Sequence, residues 1–553
     1  MPEPGPQTDQ TVRHFRQILL WPLQLMPLAG SEQIQNHCVG LEKCTDDNPW
    51  REVADEFGCD PAEFQERHYS EFVTFLPYVQ RMLYGEGKGS GRTAIDSPIR
   101  VFRRRDVAKV RLHYPDDPNP VTLNVAHVDL YFFYDLDVAI LVVEVHGEGL
   151  TFARAHETLF RFGRSYPTFW NRNGNAGHCL SRVEWLAADG KVLATSDYER
   201  RAKYLAAVAR QRAPCISAHW EWLLQPLVFH HSDQQGGLRY RLVEYHRMPV
   251  CGYLTLEDPR ALTRNDFMRL ALVLPPGPSE AQPLPDSVAR DFEDRYCHDR
   301  YWNDRPDGPA GTRFLCSGEA FVMVGKASEH EHTDGGAGMT EQFRHQYFLL
   351  FLLCHLHKAA LYMLSDRLLH ALNRMEVGDA DSVREFKRAI RQIKEIFLRF
   401  THRYWFHEVS DQVMAKSLYR SCHELIGTDR LYDEIRDEVE EMNTYLDSDS
   451  LRRQANMVIR LTVVTIFGLI GTVATGFLGM NLIAAADSPM STRILYFLVV
   501  FVPTTVLTFY TIIKSKRLAD FLDALSDERK TFREKVGTLL AVWKSTPDPD
   551  PDG

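Results

Sequence analysis

The chain has 553 residues, enough for two or three domains, each with its own core. A hydrophobic fraction of 44% and a charged fraction of 25% resemble those of a soluble protein, so any membrane part must be a local minority. The formal net charge of -10 argues against a nucleic-acid binder, which needs a basic face, and suits a protein that meets cations.

The opening segment MPEPGPQTDQ is acidic and Pro-rich, without the basic stretch that begins a secretion signal. Ile18 to Leu28 is apolar but broken by Pro22, Gln24 and Pro27, which predicts a buried strand. The run Gly85-Glu86-Gly87-Lys88-Gly89-Ser90-Gly91 has the spacing of neither phosphate-binding glycine motif and reads as a connector. From Arg100 to Leu150 the alternating and then near-continuous apolar pattern predicts core strands. Helical stretches follow near Thr151 to Tyr166 and Tyr198 to Phe229. Strand-like segments lie near Arg182 to Thr195, Leu238 to Leu256 and Phe314 to Val324. This alternation predicts a layered α/β domain.

The cysteines at 38, 44, 59, 179, 215, 251, 297, 316, 354 and 422 are scattered, with no C-x-x-C pair, and read as reduced thiols of a cytosolic domain. His230-His231 with Asp233, and the segment Ser328 to Asp334 with its two histidines, could ligate a transition metal. Both lie beside glycines and read better as polar loops. No H-E-x-x-H or G-x-S-x-G motif is present, and nothing in the sequence supports catalysis, so the chain reads as no enzyme.

After Gly338 the pattern becomes long and helical: to about Met375, from about Asp381 to His407, and from about Asp429 onward, with breaks at Gly378 and Gly427. In the last of these, Leu431, Ile435, Val439, Met442 and Leu446 form one apolar stripe, expected to face symmetry mates.

Leu461 to Leu482 is about 22 residues without a charge, the length that crosses a hydrocarbon core of about 30 Å. Ile494 to Ile513 is a second such run, and its Pro503 is tolerable where neighbouring helices satisfy the freed carbonyl. Arg452, Arg453 and Arg460 precede the first span, and Lys514, Lys516 and Arg517 follow the second, so both termini are expected in the cytoplasm. The tail from Leu518 to Trp543 has the spacing of an amphipathic helix, and the closing Pro-Asp repeat is expected to be disordered.

The first span carries Thr465, Gly468, Gly471, Thr472, Thr475 and Gly476 and closes on Gly479-Met480-Asn481 just before a short loop. Small residues let helices approach, and an amide at the mouth of a helix can hold the water shell of a hard cation without trapping it. With this triplet at the outer end of the first of two C-terminal spans, the chain resembles the CorA superfamily of divalent metal ion transporters. That resemblance implies an α/β/α cytoplasmic domain, then long helices, a stalk helix and two C-terminal transmembrane helices. The parts are 1–330 (α/β domain), 331–427 (long helices), 428–456 (stalk), 457–482 (pore-lining first span), 483–493 (external loop), 494–513 (second span) and 514–553 (cytoplasmic tail).

It further implies a homopentamer in the cell (inner or plasma) membrane, since two helices of one chain cannot enclose a wet path. Gly479, Met480 and Asn481 would form the selectivity element. Leu469, Thr472 and Gly476 would line the pore, with Leu469 in a hydrophobic gate. The partners are then further copies of the chain, lipid and divalent cations. No cofactor is expected beyond Mg2+ as the transported and regulatory ion. The acids between the stripe residues read as a solvated face. A sharper reading has Asp433 and Asp437 in an intersubunit Mg2+ sensor that holds the pore shut.

Departures from the family pattern are Leu478 where an aromatic residue is usual, a loop with Asp487 as its lone acid, and an extended tail. Asp487 is the candidate for attracting external cations. The weakly acidic loop permits a zinc, cobalt or nickel transporter as an alternative. An alternative of another class is a membrane-anchored sensor whose N-terminal domain carries the activity.

Overall fold

The computed structural model describes residues 10–26, 37–42, 48–53, 66–85, 98–232, 238–243, 246–303, 311–327, 338–375, 380–479 and 489–492, with single positions between 494 and 510. It divides into two compact units, Met1–Val439 and Glu440–Gly553.

The first unit is built on one mixed sheet. Its strands are β1 (Thr11–Leu25), β2 (Trp50–Glu52), β3 (Ile99–Arg104), β4 (Lys109–Tyr114), β5 (Asp117–Phe133), β6 (Val138–Thr151) and β7 (Arg182–Leu186). There follow β8 (Val192–Thr195), β9 (Val228–Phe229), β10 (Arg239–Leu242), β11 (Val250–Leu256), β12 (Cys297–His298), β13 (Arg313–Cys316) and β14 (Ala320–Lys326). The main path runs β12-β13-β14-β11-β1-β6-β5-β4-β7-β8. Pairing is antiparallel except between β9 and β10 and between β11 and β14. The strand and helix alternation in the sequence therefore does not become a parallel sheet: short connections lead from β4 to β5 and from β5 to β6, so that β5 lies beside β3 and β4 and β6 beside β5, which needs no crossover helix.

β1 lies at the centre, and the period of two along a strand sends its side chains to opposite faces. Leu19 and Trp21 point to a face lined by aromatic rings: Trp220 is 6.0 Å from Trp21, and Phe162 and Trp185 pack on Trp220 at 5.7 and 5.5 Å. The helices Phe152–Arg161 and Ala218–Leu224 cover this side. Gln24, of the opposite parity, reaches Asp366 of a core helix, Phe348–Asn373, and Arg16 on the same face meets Glu144 of β6, which also accepts from Arg344 just before that helix. Tyr253 stacks on Phe343 at 5.5 Å, and Phe348 sits 6.3 Å from Tyr131, which seats this helix on the sheet.

Charges are buried between sheet and helix in compensated groups. Glu144 of β6 meets both Arg16 and Arg344, the latter at 2.8 Å. Burial alone would raise the Glu144 carboxyl, but Arg344, Arg16 and His127 reverse this and hold it below its ordinary value. His345 lies 3.0 Å from Glu71 and 3.1 Å from Glu341. Burial would lower its imidazole, yet the two carboxylates outweigh that and raise it to about 9. Asp366 likewise receives Arg241 at 2.9 Å and Gln24 at 3.0 Å.

The eight described cysteines are all free thiols. A helix over Ala380–Arg403, another over Val413–Ile426 and a 52-residue helix, Thr428–Gly479, complete the chain order. Val413–Ile426 went unmarked in the sequence because its apolar residues lie between two stronger helical patterns. Gly427 ends it at φ 76 and donates to the carbonyls of His423 and Glu424, the left-handed close that glycine permits. The apolar stripe of the last helix is corrected in one respect. Ile435 is 1% exposed and Val439 4% exposed within the chain itself, and neighbouring Tyr432 stacks on Trp405 at 4.4 Å. The chain's own helices cover this part of the stripe, leaving no open face there for a symmetry mate. The glycine run at 86–91, Asp233 and Ser328–Asp334 lie outside the described residues, as does the tail from 511 onward.

Two outcomes are expected. Because the His345 imidazole is raised on folding, its contribution is complete below about 6.5 and disappears as pH climbs through about 9. The thermal midpoint should therefore fall over that interval, and His345→Gln should flatten the fall; superimposable profiles would refute the assignment. Gly163 has φ +92, and a Cβ there would meet Leu19 Cδ2 at 2.6 Å. Gly163→Ala should cost about 1–3 kcal/mol, read as a lower unfolding midpoint.

Candidate membrane segment and cation path

Among the described residues, Met339–Asn373 is long and apolar enough by length and composition to cross a membrane, but 78% of its apolar window is buried inside the protein. It is a core helix, covered by the sheet. The residues after 450 behave oppositely. Leu451, Met457, Val458, Leu461 and Leu469 are between 62% and 69% exposed. Ile494, Leu495, Val499, Val502 and Val506 are each at least half exposed. Apolar surface of this density is not left to water in a stable protein.

The helix Thr428–Gly479 changes chemistry along its length. Its first turns are held by charge pairs on the surface: Arg430 to Glu434 at 3.0 Å, and Arg436 to both Asp433 at 2.8 Å and Asp437 at 3.0 Å. The first two of these, at spacings of four and three, favour helix by a few tenths of a kcal/mol. Asp433 and Asp437, the sequence candidates for a regulatory cation, thus share one guanidinium. Arg436 is the partner that sequence reasoning missed, although its position three residues after Asp433 was visible. Both carboxylates are more than half exposed, so these ion pairs are weak and a divalent ion could exchange for the arginine. No group of three or more His, Cys, Asp or Glu side chains that could hold a metal ion occurs among the described residues.

Further along, charges give way to threonine and glycine. Thr462, Thr465, Thr472 and Thr475 donate their hydroxyl protons to the carbonyls of Val458, Leu461, Gly468 and Gly471 at 2.8–2.9 Å. Each hydroxyl is satisfied inside the helix, as a dry environment requires. Each oxygen nonetheless keeps acceptor capacity towards whatever lies alongside, and water around a cation is a donor.

Thr465, Leu469, Thr472, Gly476 and Gly479 follow one another at spacings of four, three, four and three, which is one face of a helix. Leu469 is 63% exposed, and a Cβ built at Gly468, Gly476 or Gly479 would meet nothing within 4 Å. Leu469, Thr472 and Gly476, expected from the resemblance to line a pore, thus lie on one helix face, and Leu469 and Gly476 are uncovered in a single chain. The helix is described as far as Gly479. Met480, Asn481 and Asp487 lie outside the described residues.

Residues 374–533 match the family model described as CorA-like Mg2+ transporter protein. No curated protein and no solved structure matches the chain. The matched stretch contains both runs of exposed apolar residues and the triplet Gly479-Met480-Asn481, and over residues 374–533 the chain is similar to the CorA-like family.

Proposed function

We propose that the chain is one subunit of a homo-oligomeric channel for divalent cations, with Mg2+ as the transported ion and five copies around the path. The observation that carries the reading is the uncovered threonine and glycine stripe of Thr428–Gly479, which leads directly into Met480 and Asn481 within the family-matched segment. A stripe of satisfied hydroxyls and bare glycines lets like helices approach while presenting oxygen to a hydrated ion. One copy cannot surround water with two helices, so further copies are required.

In this reading 457–482 and 494–513 span a cell membrane, 483–493 is the external loop and both termini are cytoplasmic. The α/β domain (1–330), the helices of 331–427, the stalk (428–456) and the tail (514–553) stay in the cytoplasm. Gly479, Met480 and Asn481 form the selectivity element, Leu469 narrows the path, and Thr472 and Gly476 line it. Asp487 draws cations to the outer mouth. Asp433 and Asp437 sense internal Mg2+: at low concentration Arg436 neutralises them, and at high concentration the ion replaces it and bridges to a neighbouring copy.

Purified protein in liposomes, assayed for Mg2+ and Zn2+ uptake, tests the reading. Mg2+ should enter faster than Zn2+, and Asn481→Ala should reduce uptake about tenfold or more, with assembly unchanged by size-exclusion chromatography. Full uptake by Asn481→Ala would leave the helices as mere anchors, and faster Zn2+ entry would reassign the ion. The pair Asp433→Asn and Asp437→Asn should shift inhibition by internal Mg2+ to higher concentration; an unmoved inhibition curve would remove both residues from the sensor.

A further inference from the structure

Away from the cation path, one place in the first unit holds more hydrogen-bond donors than acceptors. After the helix Phe152–Arg161 the chain turns through Gly163, and Arg164 forms an antiparallel bridge with Arg247, which precedes β11. Met248 N donates to the Gly163 carbonyl at 3.0 Å, and Ser165 N to the His246 carbonyl at 3.3 Å. The Arg164 carbonyl is fixed by Tyr198 Oη at 2.7 Å and Trp220 Nε1 at 2.9 Å. This framework gathers Arg164, His246 and Arg247 side by side.

Their partners do not balance them. Arg164 is 3% exposed, and among the described residues its guanidinium donates to neutral acceptors, the Phe160 carbonyl at 3.2 Å and His246 Nε2 at 2.6 Å. By accepting at Nε2, the neutral imidazole carries its proton on Nδ1, and that buried atom has no partner. Arg247 donates from Nη1 to the Val273 carbonyl at 3.2 Å, while its Nε and Nη2 make no hydrogen bond. Glu319 approaches Nη2 to 3.0 Å without hydrogen-bond geometry, and its side chain is 68% exposed.

Burial, with Arg164, Arg247 and His178 nearby, pushes the His246 imidazole down to about 4, so it adds a neutral donor at physiological pH. Burial and Arg247 likewise push the Arg164 guanidinium down to about 10, still charged. Among the described residues two guanidiniums thus face one solvated acid, and buried cations without a counter-charge are costly.

We propose that Arg164, Arg247 and the Nδ1–H of His246 bind a phosphoryl group, supplied by inorganic phosphate or by a nucleotide. The planar forks of two guanidiniums match phosphate oxygens two at a time, and a dianion balances the two charges. The site lies wholly in the first unit and does not depend on the transport reading.

Calorimetric titration of the purified full-length protein tests it, using inorganic phosphate and metal-free adenosine triphosphate in chloride buffer of matched ionic strength. Saturable binding is expected for at least one probe. Arg247→Gln should weaken it about tenfold or more, while Arg420→Gln, a change at an exposed arginine elsewhere, should not. Tighter binding of the nucleotide would assign a nucleotide as the source, and equal binding would assign free phosphate. Should Arg247→Gln fail to fold, His246→Gln must show the same loss. No saturable binding by the wild type, or an unchanged affinity in the variant, overturns the proposal.

Discussion

Apolar helix surface has to be covered, and the difference between the two most apolar parts of this chain is what covers them. Met339–Asn373 passes any test of length and composition for a membrane span, yet the sheet and its neighbours enclose most of it. The described apolar residues from Leu451 to Leu469 and from Ile494 to Val506 have comparable side chains and are about half exposed or more. Hydrocarbon or further copies of the chain must supply that cover, because about 25 cal/mol for each Å² of exposed apolar surface accumulates quickly over so many side chains. The assignment of a membrane segment, and with it a path for ions, depends on this contrast.

The first unit shows how the enclosed helix is held. It does not rest on apolar contact alone: just before it Arg344 meets Glu144 and His345 meets Glu71, and within it Asp366 meets Arg241 and Arg367 meets Asp137, which His37 also contacts. Each buried charge has an opposite neighbour, so removing one partner would strand the other in a medium that does not solvate it. Such pairs fix the orientation of the helix about its own axis, which apolar packing specifies less sharply. The cluster around Arg164 is the exception, since its two cations share one exposed acid among the described residues, and it is that imbalance which points to a ligand.

Along Thr428–Gly479 one continuous helix serves two chemistries. Its surface charges in the first turns pair among themselves, and its threonines later on satisfy their own protons. Neither half requires an external partner for its polar groups, but each can accept one. Carboxylates held by a single exposed arginine can trade it for a cation, and hydroxyl oxygens bonded to the backbone can still face water. This combination is suited to reversible contact with ions and poorly suited to holding one permanently.

The sequence alone determined the features that depend on neighbours in the chain: the strands between Arg100 and Leu150, the long helices after Gly338, the break at Gly427, the apolar runs and the threonines and glycines of the first of them. Periodicity and turn residues act over a few positions, and these are legible without coordinates. Tertiary structure decided what depends on distant partners. It paired the strands mostly antiparallel, because register is set by the opposing strand rather than by the count of elements between. It turned Ile435 and Val439 inward onto the chain's own helices. It brought Arg164 beside His246 and Arg247 across some eighty positions, and it showed which apolar helix was already enclosed. Burial is a property of what surrounds a residue, and no local pattern records it.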